Sequence, residues 1–197
     1  VGKKLFLYDF DGTITKKDSL FLFLKYSSNT SSFVGKFLVF SPLFFLAKLG
    51  LFSKSKIKER FVAAFLKGKT KSQLDIMAEG FLENLIETRG FREKALQSIE
   101  KHKKEGTVYI VSASLDIWLG PIAAYLDVKL ICTQAHYQKG RLMGKFLGPN
   151  CNGEQKPIRV RAEIDLDAYN EIHYFGDSKG DLPMKSVVHQ FYYKMFH

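Results

Sequence analysis

Residues 4–13 read Lys-Leu-Phe-Leu-Tyr-Asp-Phe-Asp-Gly-Thr, and this stretch decides the fold. Leu5 to Tyr8 form a short unbroken apolar run, the pattern of a strand buried on both faces of a parallel sheet. The run stops at Asp9, and Gly12 to Thr15 makes a turn. A long helical region follows. Asp18 and Ser19 suit an N-cap before Leu20–Tyr26, and Ser31 or Ser32 suits the start of the next helix. Ser53 or Ser55 suits a third helix through Leu66, and Thr70 or Ser72 a fourth ending near Ile86.

Beyond a break at Gly90 the pattern alternates. A helix over Phe91–Lys104 stops at Gly106, and a β-branched strand over Thr107–Val111 ends at Ser112. A helix over Leu115–Tyr125 and a strand over Val128–Ile131 come next, then a small hairpin or flap between Thr133 and Leu147. A helix between Pro157 and Asp167 precedes a strand over Glu171–Phe175. This order predicts an α/β fold: a Rossmann-like, doubly wound, mostly parallel sheet with a helical cap inserted after the first strand. The boundaries read from the pattern are residues 1–15 and 88–197 for the core and 16–87 for the cap. Ligands of such sheets bind at the carboxyl ends of the strands. Asp9 to Asp11, Ser112 and Asp177 each fall just past such an end, so distant segments are predicted to converge.

The residue types at these ends suit phosphoryl chemistry. Of two carboxylates two residues apart, Asp9 can attack phosphorus and form an aspartyl phosphate. Asp11 can protonate the leaving oxygen and later activate water. Gly12 allows the sharp turn that turns backbone N–H groups, with Thr13, toward phosphoryl oxygens. Asp177 and Asp181 lie in Gly-Asp-Ser-Lys-Gly-Asp, residues 176–181. Asp9, Asp177 and a backbone carbonyl offer the oxygen ligands that Mg²⁺ prefers. Ser112 can donate to a phosphoryl oxygen, and Lys156 can balance charge on the transferring group. Taken singly these are ordinary features: an Asx turn, an Asp/Gly loop, a serine after a strand, one lysine among many.

Taken together, in order, they resemble the four motifs of the haloacid dehalogenase superfamily across essentially the whole chain. The insert after the first strand is similar to the helical cap of the phosphoserine-phosphatase-like branch. The resemblance implies a magnesium-dependent phosphatase. Asp9 is then nucleophile and metal ligand, and Asp11 is acid/base and a metal ligand through its carbonyl. Ser112 and Lys156 hold the phosphoryl group, Asp177 binds the metal, and Asp181 supports the metal and lysine end. The acid/base at Asp11 sets the chain apart from the superfamily's dehalogenases. It also implies substrate contacts in the cap: Asp18, nine residues after the nucleophile, where relatives carry glutamate, and Arg60, near their carboxylate-binding arginine. The expected substrate is a small phosphorylated metabolite of the phosphoserine kind.

Two features leave alternatives open. Phe37 to Ala47 reads FLVFSPLFFLA, apolar and uncharged, interrupted by Pro42 and flanked by Lys36 and Lys48. One reading is a buried, kinked pair of cap helices. The other is a lipid-facing element, similar in pattern to bacterial phosphatidylglycerophosphatases, with a phospholipid headgroup phosphate as substrate. The chain also carries a formal charge of +10, and Lys48 to Lys71 holds eight basic residues against Glu59 alone. That cluster suits an anionic substrate, acidic lipid at the inner membrane surface, or a solvated helix face. A non-catalytic basic binding module is the competing class, but no nucleic-acid motif is recognisable and no specific nucleic-acid partner is expected. Transfer of the phosphoryl group to another alcohol stays open too. Cys132 and Cys151 have no zinc spacing and read as free thiols, and the start of the chain shows no signal peptide, so the expected location is the cytoplasm.

Overall fold

The computed structural model describes residues 2–197. Strand β1 (Lys4–Tyr8) lies at the centre of a five-stranded sheet. It pairs in parallel with β2 (Gly106–Leu115) on one side and β6 (Glu171–Gly176) on the other. Strand β3 (Lys129–Thr133) extends the sheet beyond β2, and β7 (Gln190–Tyr193) beyond β6, both in parallel. The continuous apolar run of β1 follows from burial on both faces. Phe6 and Tyr8 join one cluster with Ile99 and Ile110. Leu5 and Leu7 join the opposite one with Val111, Val160 and Tyr174. The chain winds from β1 toward β2 and β3, then returns to build β6 and β7, so β1 borders the switch point where a crevice opens.

Four helices separate β1 from the rest of the core: α1 (Ser19–Tyr26), α2 (Thr30–Lys48), α3 (Lys54–Leu66) and α4 (Lys71–Glu87). Their two connections run side by side, with Thr15 bridging Phe91 and Lys16 N–H donating to Gly90 O at 2.9 Å. Asp18, Ser53 and Thr70 cap α1, α3 and α4 through their side chains. For α2 the expectation of Ser31 or Ser32 is corrected: Asn29 is the cap, its Oδ1 accepting from Ser32 N–H at 2.8 Å. Asparagine caps as well as serine, and the helix gains at least two residues by starting at Thr30.

The expectation of a buried, kinked helix pair is also overturned. Helix α2 is continuous through Pro42, and of its residues only Ala47 is buried. Proline removes the N–H that Leu38 O needs, and Ser41 Oγ takes that carbonyl instead at 3.0 Å. By length and composition α2 is long and apolar enough to cross a membrane.

Past α5 (Glu93–Glu105), β2 and α6 (Asp116–Tyr125), the antiparallel hairpin of β4 (Ala135–Gln138) and β5 (Arg141–Phe146) leaves the core and lies against α3. Gly68 N–H donates to Leu142 O at 2.8 Å, and Phe146 N–H to Glu59 Oε1 at 2.7 Å. The insert is therefore attached to the core by its two connections, by this hairpin and by the packing of α4 on α6. Helix α7 (Gln155–Glu163) precedes β6, and a 3₁₀ segment over Lys179–Ser186 follows it. Strand β7 has no counterpart in the sequence reading, because four residues at a sheet edge are too few to show a period.

Candidate active site

The carboxyl ends of β1, β2 and β6 open into a pocket of about 520 Å³ between sheet and helical insert. Asp9, Asp11, Gly12, Asp18, Lys156 and Asp177 all line it. They come from four separate stretches of chain. Asp9 forms part of the floor and is only 6% exposed. Its N–H donates to Phe175 O at 2.8 Å, so the sheet ladder fixes the point where β1 ends.

Lys156 enters from the first turn of α7 and is buried. Its Nζ donates to Asp9 Oδ1 at 2.6 Å, Asp181 Oδ1 at 2.6 Å and Tyr174 Oη at 2.8 Å. All three ammonium protons are thus taken. Burial pulls this ammonium toward neutrality, but Asp9 and Asp181 outweigh it and hold its pKa above the ordinary lysine value. Burial raises the Asp181 carboxyl too, yet Lys156 and its hydrogen bonds win and leave it below the usual range. Among the described residues the Asp9 carboxylate keeps only Lys156 as a partner. Burial therefore lifts it to about 8, against the downward pull of Lys156.

Asp11 is held from the insert and from β2. Ser19 N–H, in the first turn of α1, donates to Asp11 Oδ1 at 2.6 Å, and Ser114 Oγ donates to Oδ2 at 2.5 Å. Trp118 Nε1 donates to Ser19 Oγ at 2.9 Å, so the buried indole braces that contact. A carboxylate at a helix N-terminus is favoured by the unpaired N–H groups there. Ser112 is buried, and its Oγ accepts Ser114 N–H at 3.0 Å. The hydroxyl that lines the pocket is that of Ser114, which the sequence reading missed.

Gly12 adopts φ +80°, a conformation only glycine takes without strain, and a Cβ there would strike Asp177 Oδ2. Its carbonyl accepts from Arg92 Nε at 3.0 Å, which ties this turn to the start of α5. Thr13 is buried, and its Oγ1 is a buried side-chain polar atom without a partner among the described residues. Asp181 accepts Ser178 N–H at 2.9 Å, Ser178 Oγ at 2.8 Å and Asp177 N–H at 3.2 Å on its second oxygen. It therefore braces the Asp177 loop and Lys156 at once. Tyr174, also absent from the sequence reading, donates to Asp181 Oδ1 at 2.6 Å.

The residues fit a divalent cation. Single oxygens of Asp9, Asp177 and Asp181 lie within 4.8 Å of one another. Both oxygens of Asp181 are already engaged, so the carboxylates that would hold a cation are Asp9, through Oδ2, and Asp177, whose own Oδ2 lies 3.8 Å from His197 Nε2. Burial and then Asp181 raise the Asp177 carboxyl above its ordinary value. A cation between the two carboxylates would reverse that tendency in both.

The insert supplies the far wall. Asp18 lies on the pocket rim, where burial of its inner side and the nearby Asp11 push its carboxyl up to about 6. Arg60 is not brought to the pocket: it lies on the exposed face of α3. Lys58 is the α3 cation that lines it, and its Nζ donates to Ala113 O at 2.7 Å. Helical period carries the distinction. Lys58 lies three and four residues before buried Phe61 and Val62, whereas Arg60 shares the exposed side with Ala64. Burial lowers the Lys58 pKa, opposed by Asp11 and Asp18. Phe21, Phe44 and Ala47 add an apolar patch, with Lys48 and Lys54 beside it.

The sequence matches the haloacid dehalogenase-like hydrolase family over residues 6–185. Protein CicA of Caulobacter vibrioides is 30% identical over 204 residues, covering 98% of this chain and 86% of the relative. Among solved structures, a Bordetella pertussis protein of unknown function superposes with TM-score 0.82 at 21% identity, over 98% of this chain and 90% of the other. A substrate-bound phosphoserine phosphatase superposes with TM-score 0.70 at 17% identity, over 98% and 86%. This chain belongs to the haloacid dehalogenase-like hydrolases, and its fold is that of the phosphoserine-phosphatase-like branch.

Proposed function

We propose that the protein is a magnesium-dependent phosphomonoester hydrolase that works through an aspartyl phosphate on Asp9. The observation that carries this is the environment of Asp9: on the pocket floor, with Oδ1 tied to Lys156 and Oδ2 without a hydrogen bond among the described residues. Oδ2 attacks phosphorus as the bond to the leaving oxygen breaks, and Asp11 delivers its proton to that oxygen. Asp11 then takes a proton from water, which attacks the aspartyl phosphate and frees Asp9 and inorganic phosphate. Lys156 stays charged throughout and offsets charge on the phosphoryl oxygens. Thr13 Oγ1 is the buried donor of this turn without a hydrogen-bond partner among the described residues, whereas the N–H groups of Thr13, Ile14 and Thr15 already donate to Phe10 O. Mg²⁺ held by Asp9, Asp177 and the Asp11 carbonyl would offset repulsion between the phosphate and an anionic nucleophile.

The substrate we propose is a small phosphorylated metabolite of the phosphoserine kind. Asp18 and Lys58 support this, since they set a carboxylate and an ammonium on the wall facing Asp9. They suit the amine and the carboxylate of an amino-acid phosphate. The apolar patch of Phe21, Phe44 and Ala47, with Lys48 and Lys54 beside it, favours a second reading, a phospholipid headgroup phosphate.

Phosphate release from a panel of phosphoserine, sugar phosphates, nucleotides and phosphatidylglycerophosphate, with Mg²⁺ and after chelation, tests both. Metal-dependent release that Asp9→Asn abolishes is expected, and the best substrate chooses between the readings. Release by Asp9→Asn at the native rate would sink the mechanism. No release from any substrate, with salt-dependent DNA binding, would favour a non-catalytic basic module.

A further inference from the structure

Helix α2 is apolar around its whole circumference, a composition found in helices buried on every side or in lipid. Here it is neither enclosed by the protein nor polar on its open side. One face packs inward: Phe40 and Phe44 meet Phe61 with ring centroids 5.2 Å apart, and Phe33 meets Phe65 at 5.8 Å. The opposite face carries Val34, Leu38 and Phe45 in one line, and the loop after it carries Leu49, Leu51 and Phe52. These six side chains are between 47% and 67% exposed. So many exposed apolar side chains on one helix face and its loop mark a surface that meets something other than water.

Charge decides what it meets. From Ser19 to Lys58 there is no acidic residue, while Lys25, Lys36, Lys48, Lys54, Lys56 and Lys58 all fall in that stretch. Lys25, Lys48, Lys54 and Lys56 are exposed, whereas Lys36 covers the Phe65 ring. A second copy of this chain docked face to face would bring these like charges together. An anionic bilayer offers what they lack: acyl chains for the apolar stripe and acidic headgroups for the lysines.

We infer that α2 and the Leu49–Phe52 loop form an interfacial element that docks the protein onto an anionic membrane surface. The helix lies on the surface rather than spanning it. Spanning would expose Phe33, Phe40 and Phe44, which pack against the rest of the insert. Phe44, Ala47 and Lys48 also line the catalytic pocket, so docking sets its mouth beside the headgroups. The docking itself does not depend on the catalytic reading.

Co-sedimentation of the full-length Asp9→Asn chain with vesicles tests the inference without turnover. Binding is expected to vesicles of phosphatidylcholine mixed with phosphatidylglycerol, to weaken with salt, and to be far lower on phosphatidylcholine alone. The double variant Leu38→Asp, Phe45→Asp changes only exposed side chains of this face. It is expected to lose binding at least about tenfold with an unchanged melting temperature. Absence of binding at low salt overturns the proposal, as does equal binding to both vesicles or binding that survives the double variant. A solution dimer that this variant breaks, without vesicle binding, overturns it in favour of self-association. Loss of phosphatase activity in Asp9→Asn has no bearing on the result, so the two readings fail independently.

Discussion

Lys58 of the helical insert donates through Nζ to the carbonyl of Ala113, the residue after Ser112 near the carboxyl end of β2, at 2.7 Å. The contact joins the insert to the core at the pocket wall across 55 residues of sequence. It sets a cation from α3 near Asp11 and Asp18 on the pocket wall.

Lys58→Ala should lower kcat/KM by about tenfold to a hundredfold, the loss expected for hydrogen bonds to a charged group. Arg60→Ala should change it less than about twofold, since that side chain lies outside the pocket. Initial rates for the two variants on the best substrate of the panel decide the matter. The opposite ranking would return the substrate-binding role to Arg60.

Asp181 accepts hydrogen bonds on both oxygens and is fully buried. Asp181→Asn removes one of the two charges that balance Lys156, and breaking a buried pair costs about 3–5 kcal/mol. Urea unfolding should show that loss in native stability. A near-neutral result would mean that Asp9 alone suffices to hold the ammonium.

Gly12→Ala places a methyl group against Asp177 at a left-handed backbone position. The strain alone should cost about 1 kcal/mol. Because the clash falls on a proposed metal ligand, the Mg²⁺ concentration for half-maximal activity should also rise. Titration of activity with Mg²⁺ separates this from general destabilisation, which would lower the plateau and leave the midpoint in place.

His102 sets a pH dependence of stability. Burial, with its ring stacked on Phe6 at 3.8 Å, depresses its pKa to about 4 from 6.5. Its Nδ1 also sits 2.6 Å from Tyr8 Oη, and a neutral ring accepts that hydroxyl proton. The unfolded chain therefore binds a proton that the folded chain refuses between these values. The contribution is complete above pH 6.5 and is lost as pH falls toward 4. Urea midpoints at about pH 7 and about pH 5 should differ less in His102→Gln than in the parent. An identical difference in both proteins would show that other groups carry the effect.

The sequence by itself determined the architecture and the polar floor of the site. An apolar run ending in Asp-Phe-Asp-Gly-Thr and the strand end before Asp177 are legible because strand period and turn chemistry are local, whereas β2 runs past the expected end at Ser112 to Leu115 through an irregularity in its pairing with β3. In a parallel sheet the chain must bring such ends to one edge. Hairpin and caps were legible for the same reason, save Asn29, where two serines nearby offered equally good caps. What only the tertiary structure decided depends on partners far away in the chain. Ser114 and Tyr174 matter through hydrogen bonds to Asp11 and Asp181, which no spacing announces. Lys58 rather than Arg60 faces the pocket because of how α3 is rotated against β5 and the sheet end. The solvent face of α2 was ambiguous for a deeper reason: an all-apolar helix has no amphipathic period to say which side is covered. Burial depends on what the rest of the chain packs against it, and here that chain covers only one side.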